Sequence, residues 1–218
     1  MILSLIILYV LTLIYLSIAD RFRNQTTILA IQGLLLFGIA IARMHSFHPV
    51  ELGFIVVETL IFKAIVIPAI LLYVIKRTKI NRIHSASSQF GALVMSIIAL
   101  VASCTITYYM ADERTDMIFF GVSLYALLSG LILIVMRKRI FAHLVGFLVI
   151  ENGVFMLSMA IGVEFPLLIN LAIMLDILVS IVILGMFLQR MDNEIHTDET
   201  DALTSIKDKP RWKCLYIL

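Results

Sequence analysis

Charge is scarce in this chain. Asp, Glu, Lys and Arg make up 15% of its 218 residues and hydrophobic types 61%, and the mean hydropathy is +1.05. So little polar surface excludes an ordinary soluble domain and points to an all-α, polytopic membrane protein. Cysteine is scarce too. Cys104 in an apolar run and Cys214 in the tail give neither a disulfide framework nor a zinc spacing. The chain has no glycine-rich phosphate loop, no cysteine cluster for iron–sulfur and no facing histidine pair for haem, so no cofactor is expected on it. Nothing in it suggests nucleic-acid binding. The first apolar run starts at Ile2 with no basic n-region and no small-residue cleavage pattern, which favours a retained helix over a signal peptide. No polar stretch before Arg190 is long enough to fold outside a bilayer, so soluble chemistry is expected in partners.

What the chain does have is long apolar runs. A spanning helix needs about 20 apolar residues. Seven runs qualify, roughly 2–19, 26–43, 52–75, 90–110, 117–136, 140–161 and 166–189. The basic residues set an orientation. Arg21, Arg23, Lys76, Arg77, Lys79, Arg82, Arg137, Lys138, Arg139, Arg190, Lys207, Lys209, Arg211 and Lys213 fall in alternate loops and the tail, whereas the other side holds only Arg43 and Arg114. The positive-inside rule then puts the amino terminus outside and the carboxyl terminus in the cytoplasm. The expected organisation is a five-helix membrane region over 1–136, a two-helix hairpin over 137–189 and a polar tail over 190–218. The tail begins acidic and ends basic and aromatic at Lys207, Lys209, Arg211, Trp212 and Lys213. It fits a solvated tail touching anionic headgroups, or a docking strand for a neighbouring subunit.

Three ionisable residues interrupt these runs near their midpoints: Lys63, Glu151 and Asp176. A charge at bilayer centre costs roughly 2.5–3.5 kcal/mol on insertion scales, and such residues face the protein interior and mark ion or proton routes. Glu151 and Asp176 sit on consecutive helices joined by a short turn, at matched depth. Asn152 follows Glu151, and Ser180 lies one turn from Asp176. Both are candidates to hydrogen-bond a carboxyl or a water. Burial and a like charge raise a carboxyl's proton affinity and a cation lowers it, so such a site is open to tuning for a relay. The competing reading is a neutral acid that glues helices together. Lys63 is too deep to snorkel, and Glu151 and Asp176 are its natural partners. Glu58 lies five residues before it, about 140° around an α-helix, which makes it a poor partner. Pro68 removes the donor that an α-helix would aim at the Ala64 carbonyl. His143, two turns below Glu151, is a candidate for proton uptake or simply interfacial. Glu164 in an outer turn reads as solvated, and His45 and His48 read as loop residues rather than metal ligands.

The segment Arg139-Ile140-Phe141-Ala142-His143-Leu144-Val145-Gly146-Phe147-Leu148-Val149-Ile150-Glu151-Asn152-Gly153 resembles the second helix of the small K-type subunit of respiratory complex I. It is also similar to the matching C-type subunit of multisubunit cation/proton antiporters. The helix around Asp176 and the tail through Leu203-Thr204 resemble that subunit's third helix and tail, with aspartate where complex I usually has glutamate. About four helices precede this unit. That long form, with Leu60-Ile61-Phe62-Lys63-Ala64-Ile65-Val66-Ile67-Pro68 in its third helix, resembles the E-type membrane protein of hydrogenase-4, a family found in formate-hydrogenlyase-type complexes. The resemblance covers about residues 55–205, and the first two helices match in hydrophobicity alone.

The resemblance implies a non-catalytic, multi-pass subunit in the plasma membrane of a bacterium or archaeon, part of a hydrogenase (oxidoreductase) complex. Its partners would be antiporter-like membrane subunits and a peripheral arm that carries the iron–sulfur and nickel–iron centres. Glu151, Asp176 and Lys63 would serve proton translocation. The alternatives are a subunit of another complex-I-like or cation/proton antiporter assembly, a stand-alone proton or cation transporter, or a scaffold whose acids are structural. A stand-alone transporter would be expected to show inverted repeats and paired broken helices, and neither is evident.

Overall fold

Lipid offers the backbone no hydrogen-bond partner, so apolar stretches satisfy their N–H and C=O groups as helices. Here these are α1 (Ile2–Ile18), α2 (Phe22–Arg43), a π-helical stretch π1 (Val56–Val66) that continues as α3 (Ile67–Thr78), α4 (Gln89–Tyr109), α5 (Met117–Met136) and α6 (Ile140–Ile161). The computed structural model describes residues 1–19, 21–43, 53, 55–78, 89–110, 116–137 and 140–161. All of them lie in one compact unit, Met1–Ser180, and they include no strand. Among the described residues four helical spans, Phe22–Arg43, Phe90–Tyr109, Met117–Met136 and Phe141–Ile161, are long and apolar enough to cross a membrane; Ile2–Ile18 and Thr59–Tyr73 are shorter apolar helices. The run 166–189 with Asp176 and Ser180, the loop residues His45, His48 and Glu164, and the tail 190–218 lie outside the described residues.

α2 starts at Phe22, four residues before the apolar run does. The polar residues there are absorbed locally. Gln25 Nε2 donates to the Ala19 carbonyl at 3.0 Å, and the Thr26 and Thr27 hydroxyls donate one turn back to Phe22 and Arg23. A polar side chain that caps the preceding helix, or bonds its own, can enter a helix without exposing a donor.

The helices alternate in direction, and side chains tie their ends. At one end the Arg137 guanidinium donates to the Ser17 carbonyl at 3.0 Å, and the Phe22 and Phe141 rings meet edge-on at 4.3 Å. That end holds Arg21, Arg23 and Arg137. At the other end Arg43 Nη1 lies 3.1 Å from Asp116 Oδ2 with its guanidinium over the Phe119 ring, and the Asp116 amide donates to the Ala160 carbonyl. Among the described residues Arg43 lies at the end opposite Arg21, Arg23 and Arg137, paired with an acid. α2 and α6 are the inner helices: 56% and 61% of their apolar windows are buried, against 22% for α4. α2 touches α1, π1, α3 and α6.

Glycine sets the two closest approaches. A Cβ added at Gly33 in α2 would stand 2.8 Å from the Ala64 amide nitrogen and 2.9 Å from the Lys63 carbonyl carbon. One added at Gly130 in α5 would stand 2.6 Å from the Gly146 carbonyl oxygen of α6. Small residues that let backbones touch are how helices associate in lipid, where apolar burial between them offers little drive. Gly33→Ala and Gly130→Ala should each cost about 1–3 kcal/mol by overpacking. Gly38→Ala, whose Cβ meets only Leu5 Cδ1 at 3.6 Å, should be tolerated. Thermal unfolding midpoints of the three variants in mild detergent check the ranking.

Candidate functional site: a buried ion pair at mid-span

π1 runs for eleven residues, and its ladder closes from the Ile67 amide to the Phe62 carbonyl. π geometry is rare, mostly confined to single-turn bulges, and frequent at functional sites. Here it changes two expectations drawn from α geometry. In an i→i+5 ladder the carbonyl that Pro68 fails to serve is that of Lys63, not Ala64. Positions 58 and 63 also become successive steps of one ladder instead of lying on divergent faces. The side chain of Glu58 lies outside the described residues.

Lys63 points from π1 to the middle of α6. Its Nζ stands 3.7 Å from Glu151 Oε1, and the two side chains are 5% and 3% exposed. The same ammonium lies 5.0 Å from the centroid of the Phe155 ring. Phe155 is one turn beyond Glu151 on the same face of α6, so the cation sits between a carboxylate and an aromatic face. Asn152 is also buried. Thr59, one turn before Lys63 in chain order, is buried with its hydroxyl donated to the Ile55 carbonyl at 2.6 Å.

At an effective dielectric of about 20, charges this far apart attract by roughly 4 kcal/mol. Desolvation costs several kcal/mol per ion, so the pair adds little net stability over apolar side chains of similar volume. What it offers is chemistry. Moving a proton from ammonium to carboxylate turns an ion pair into a neutral pair with no change in net charge. Adding or removing a proton would leave one uncompensated charge in a low-dielectric site.

α2 belongs to the same layer. α2 and α6 start at the same end, where Phe22 meets Phe141. Gln32 lies ten residues beyond Phe22 and Glu151 ten beyond Phe141, so both stand about 15 Å up parallel helices. Gln32 is fully buried, and its Nε2 donates to Thr12 Oγ1 of α1 at 3.2 Å. Gly33 beside it carries the contact with Lys63 and Ala64. Hydropathy and charge along the chain do not single out Gln25, Gln32, Thr12 or Phe155. The two glutamines, Gln25 just before an apolar run and Gln32 seven residues on inside it, are the usable signal.

Of the residues singled out from sequence, Lys63, Glu151 and Asn152 fall in the buried mid-span layer, and Lys63 and Glu151 meet. His143 is half-buried near the basic end, and no described contact joins it to the pair. Asp176 and Ser180 lie outside the described residues. Among those residues no group of His, Cys, Asp and Glu has a metal-binding arrangement. Comparison with protein-family models, curated proteins and solved structures gives no match.

Removing one partner of a buried ion pair leaves a charge uncompensated at a cost of about 3–5 kcal/mol. Lys63→Met alone should therefore reduce stability sharply, and adding Glu151→Gln should restore most of it. A double-mutant cycle on unfolding midpoints checks this, and additive losses would mean the two side chains do not interact.

Proposed function

We propose that this chain is a non-catalytic integral subunit of a proton-translocating membrane complex of the hydrogenase-4 or formate-hydrogenlyase type. Its seven spans would leave the amino terminus outside and the tail in the cytoplasm of a bacterial or archaeal cell. The observation that carries this reading is the Lys63–Glu151 pair, buried at the middle of the bundle, where it adds little stability. The grouping of Arg21, Arg23 and Arg137 at one end supports the orientation. The motif around Glu151-Asn152-Gly153 and the Lys63–Pro68 segment support the kind of complex. In this reading Asp176 is a second acid of the same route. Redox steps occur in partner subunits, and their charge movements shift the proton affinity of the pair.

Two experiments test it. A tagged copy purified from its native membrane in mild detergent should carry antiporter-like membrane subunits and a hydrogenase-like large subunit, identified by mass spectrometry. Recovery as a lone monomer or homodimer would remove the complex and leave an independent transporter. Within the purified complex, the Lys63→Met/Glu151→Gln double variant should assemble normally and lose most proton translocation per redox turnover. Unchanged translocation would make the pair structural.

A further inference from the structure

α2 carries three fully buried polar side chains, Gln25, Thr26 and Gln32. Thr26 is satisfied by its own helix. The two glutamines are not. Each donates from Nε2, Gln25 to the Ala19 carbonyl and Gln32 to Thr12 Oγ1, yet both Oε1 atoms are buried with no hydrogen-bond partner. The Tyr9 hydroxyl, one turn from Thr12 on α1, is buried in the same condition. Helix–helix gluing accounts for the two amide nitrogens and leaves the two oxygens unexplained. A buried acceptor that loses its water without replacement costs about 1–3 kcal/mol, and buried polar atoms left over by the protein are the usual partners of internal water.

The placement of these atoms is ordered. Gln25 and Gln32 are seven residues apart on one stripe of α2, about 10 Å along its axis. The stripe is bounded by α1, which Gln32 reaches through Thr12, and by α6, which Phe22 reaches through Phe141. Its lower station, Gln25, lies at the basic end beside Ala19, close to where Arg137 meets Ser17. Its upper station, Gln32, is level with Glu151 and adjoins Gly33, which touches the Lys63 backbone.

We infer that Gln25 and Gln32 mark a hydrated path along α2 that joins the basic end of the bundle to the Lys63–Glu151 pair. The ligand is water, held at each station by an amide oxygen. A proton moves by passing along these waters, each taking one proton and releasing another, with no net change in the path. The use of the path rests on the ion-pair reading above, whereas its hydration does not. It lies in the two helices that the family resemblance covers only in hydrophobicity.

The test uses the full chain in nanodiscs with Cys104→Ser and Cys214→Ser, and single cysteines introduced by Gln25→Cys, Gln32→Cys or Leu36→Cys. Leu36 is one turn beyond Gln32 on the same stripe and is fully buried. Silver ion, a small charged probe, needs water to reach a thiol. The thiols of Gln25→Cys and Gln32→Cys should be consumed at least about tenfold faster than that of Leu36→Cys, since a charge enters dry apolar surroundings only at high cost. Equal rates at Gln32→Cys and Leu36→Cys would overturn the path. In the purified complex, Gln32→Leu should slow proton translocation while leaving assembly intact. Dry thiols and normal translocation in Gln32→Leu, with translocation lost in the Lys63→Met/Glu151→Gln variant, would refute the path and keep the ion-pair reading. Reactive thiols with normal translocation in that double variant would keep the path and refute the reading.

Discussion

A lysine at the middle of an apolar bundle demands an answer from its surroundings, and much of this structure follows from that demand. Glu151 supplies the opposite charge and Phe155 an aromatic face, both from one turn of α6. α2 supplies closeness: Gly33 lets its backbone lie against Lys63 and Ala64, which fixes the depth of the ammonium. α5 packs against α6 through Gly130 and Gly146, holding the helix that carries the carboxylate. Of the four long apolar spans α2 and α6 are the most buried, and they carry Gln32, Glu151 and Asn152. Gln25, Gln32, Lys63, Glu151 and Asn152 are buried among apolar side chains, whereas Leu3, Leu34, Ile65 and Val101 face outward.

The pair also explains why stability is a poor guide to its presence. Two apolar side chains of similar volume would serve packing as well. What the pair adds is charge, which acts on its surroundings far more strongly in a dry site than in water. The close contact at Gly33 ties the rare π-helical stretch to the central helix.

Much of this is legible in the amino-acid sequence. Glu151 and Lys63 stand out because a charge in the middle of an apolar run has few explanations, and the helices follow from run length. The described basic residues Arg21, Arg23 and Arg137 gather at one end of the bundle, and Arg43 lies at the other beside Asp116. The π geometry is hidden because hydrophobic periodicity is weak where residues are apolar all round, so nothing distinguishes a 3.6-residue turn from a wider one. Gln25 falls outside the apolar run because local capping by Gln25, Thr26 and Thr27 does not show in hydropathy. Gln32 is visible as a lone amide mid-run, but its meaning depends on the parallel register of α2 with α6, which only the fold supplies.

The central claim is that Glu151 changes protonation inside the bundle while paired with Lys63. Infrared difference spectroscopy of the purified protein across a pH titration tests it most directly, by following the carbonyl stretch of a buried protonated carboxyl. The account predicts a band that appears on acidification, is absent in Glu151→Gln, and moves to a different midpoint in Lys63→Met. A wild-type protein that stays folded through the titration without such a band, or a band that survives Glu151→Gln unchanged, would contradict it.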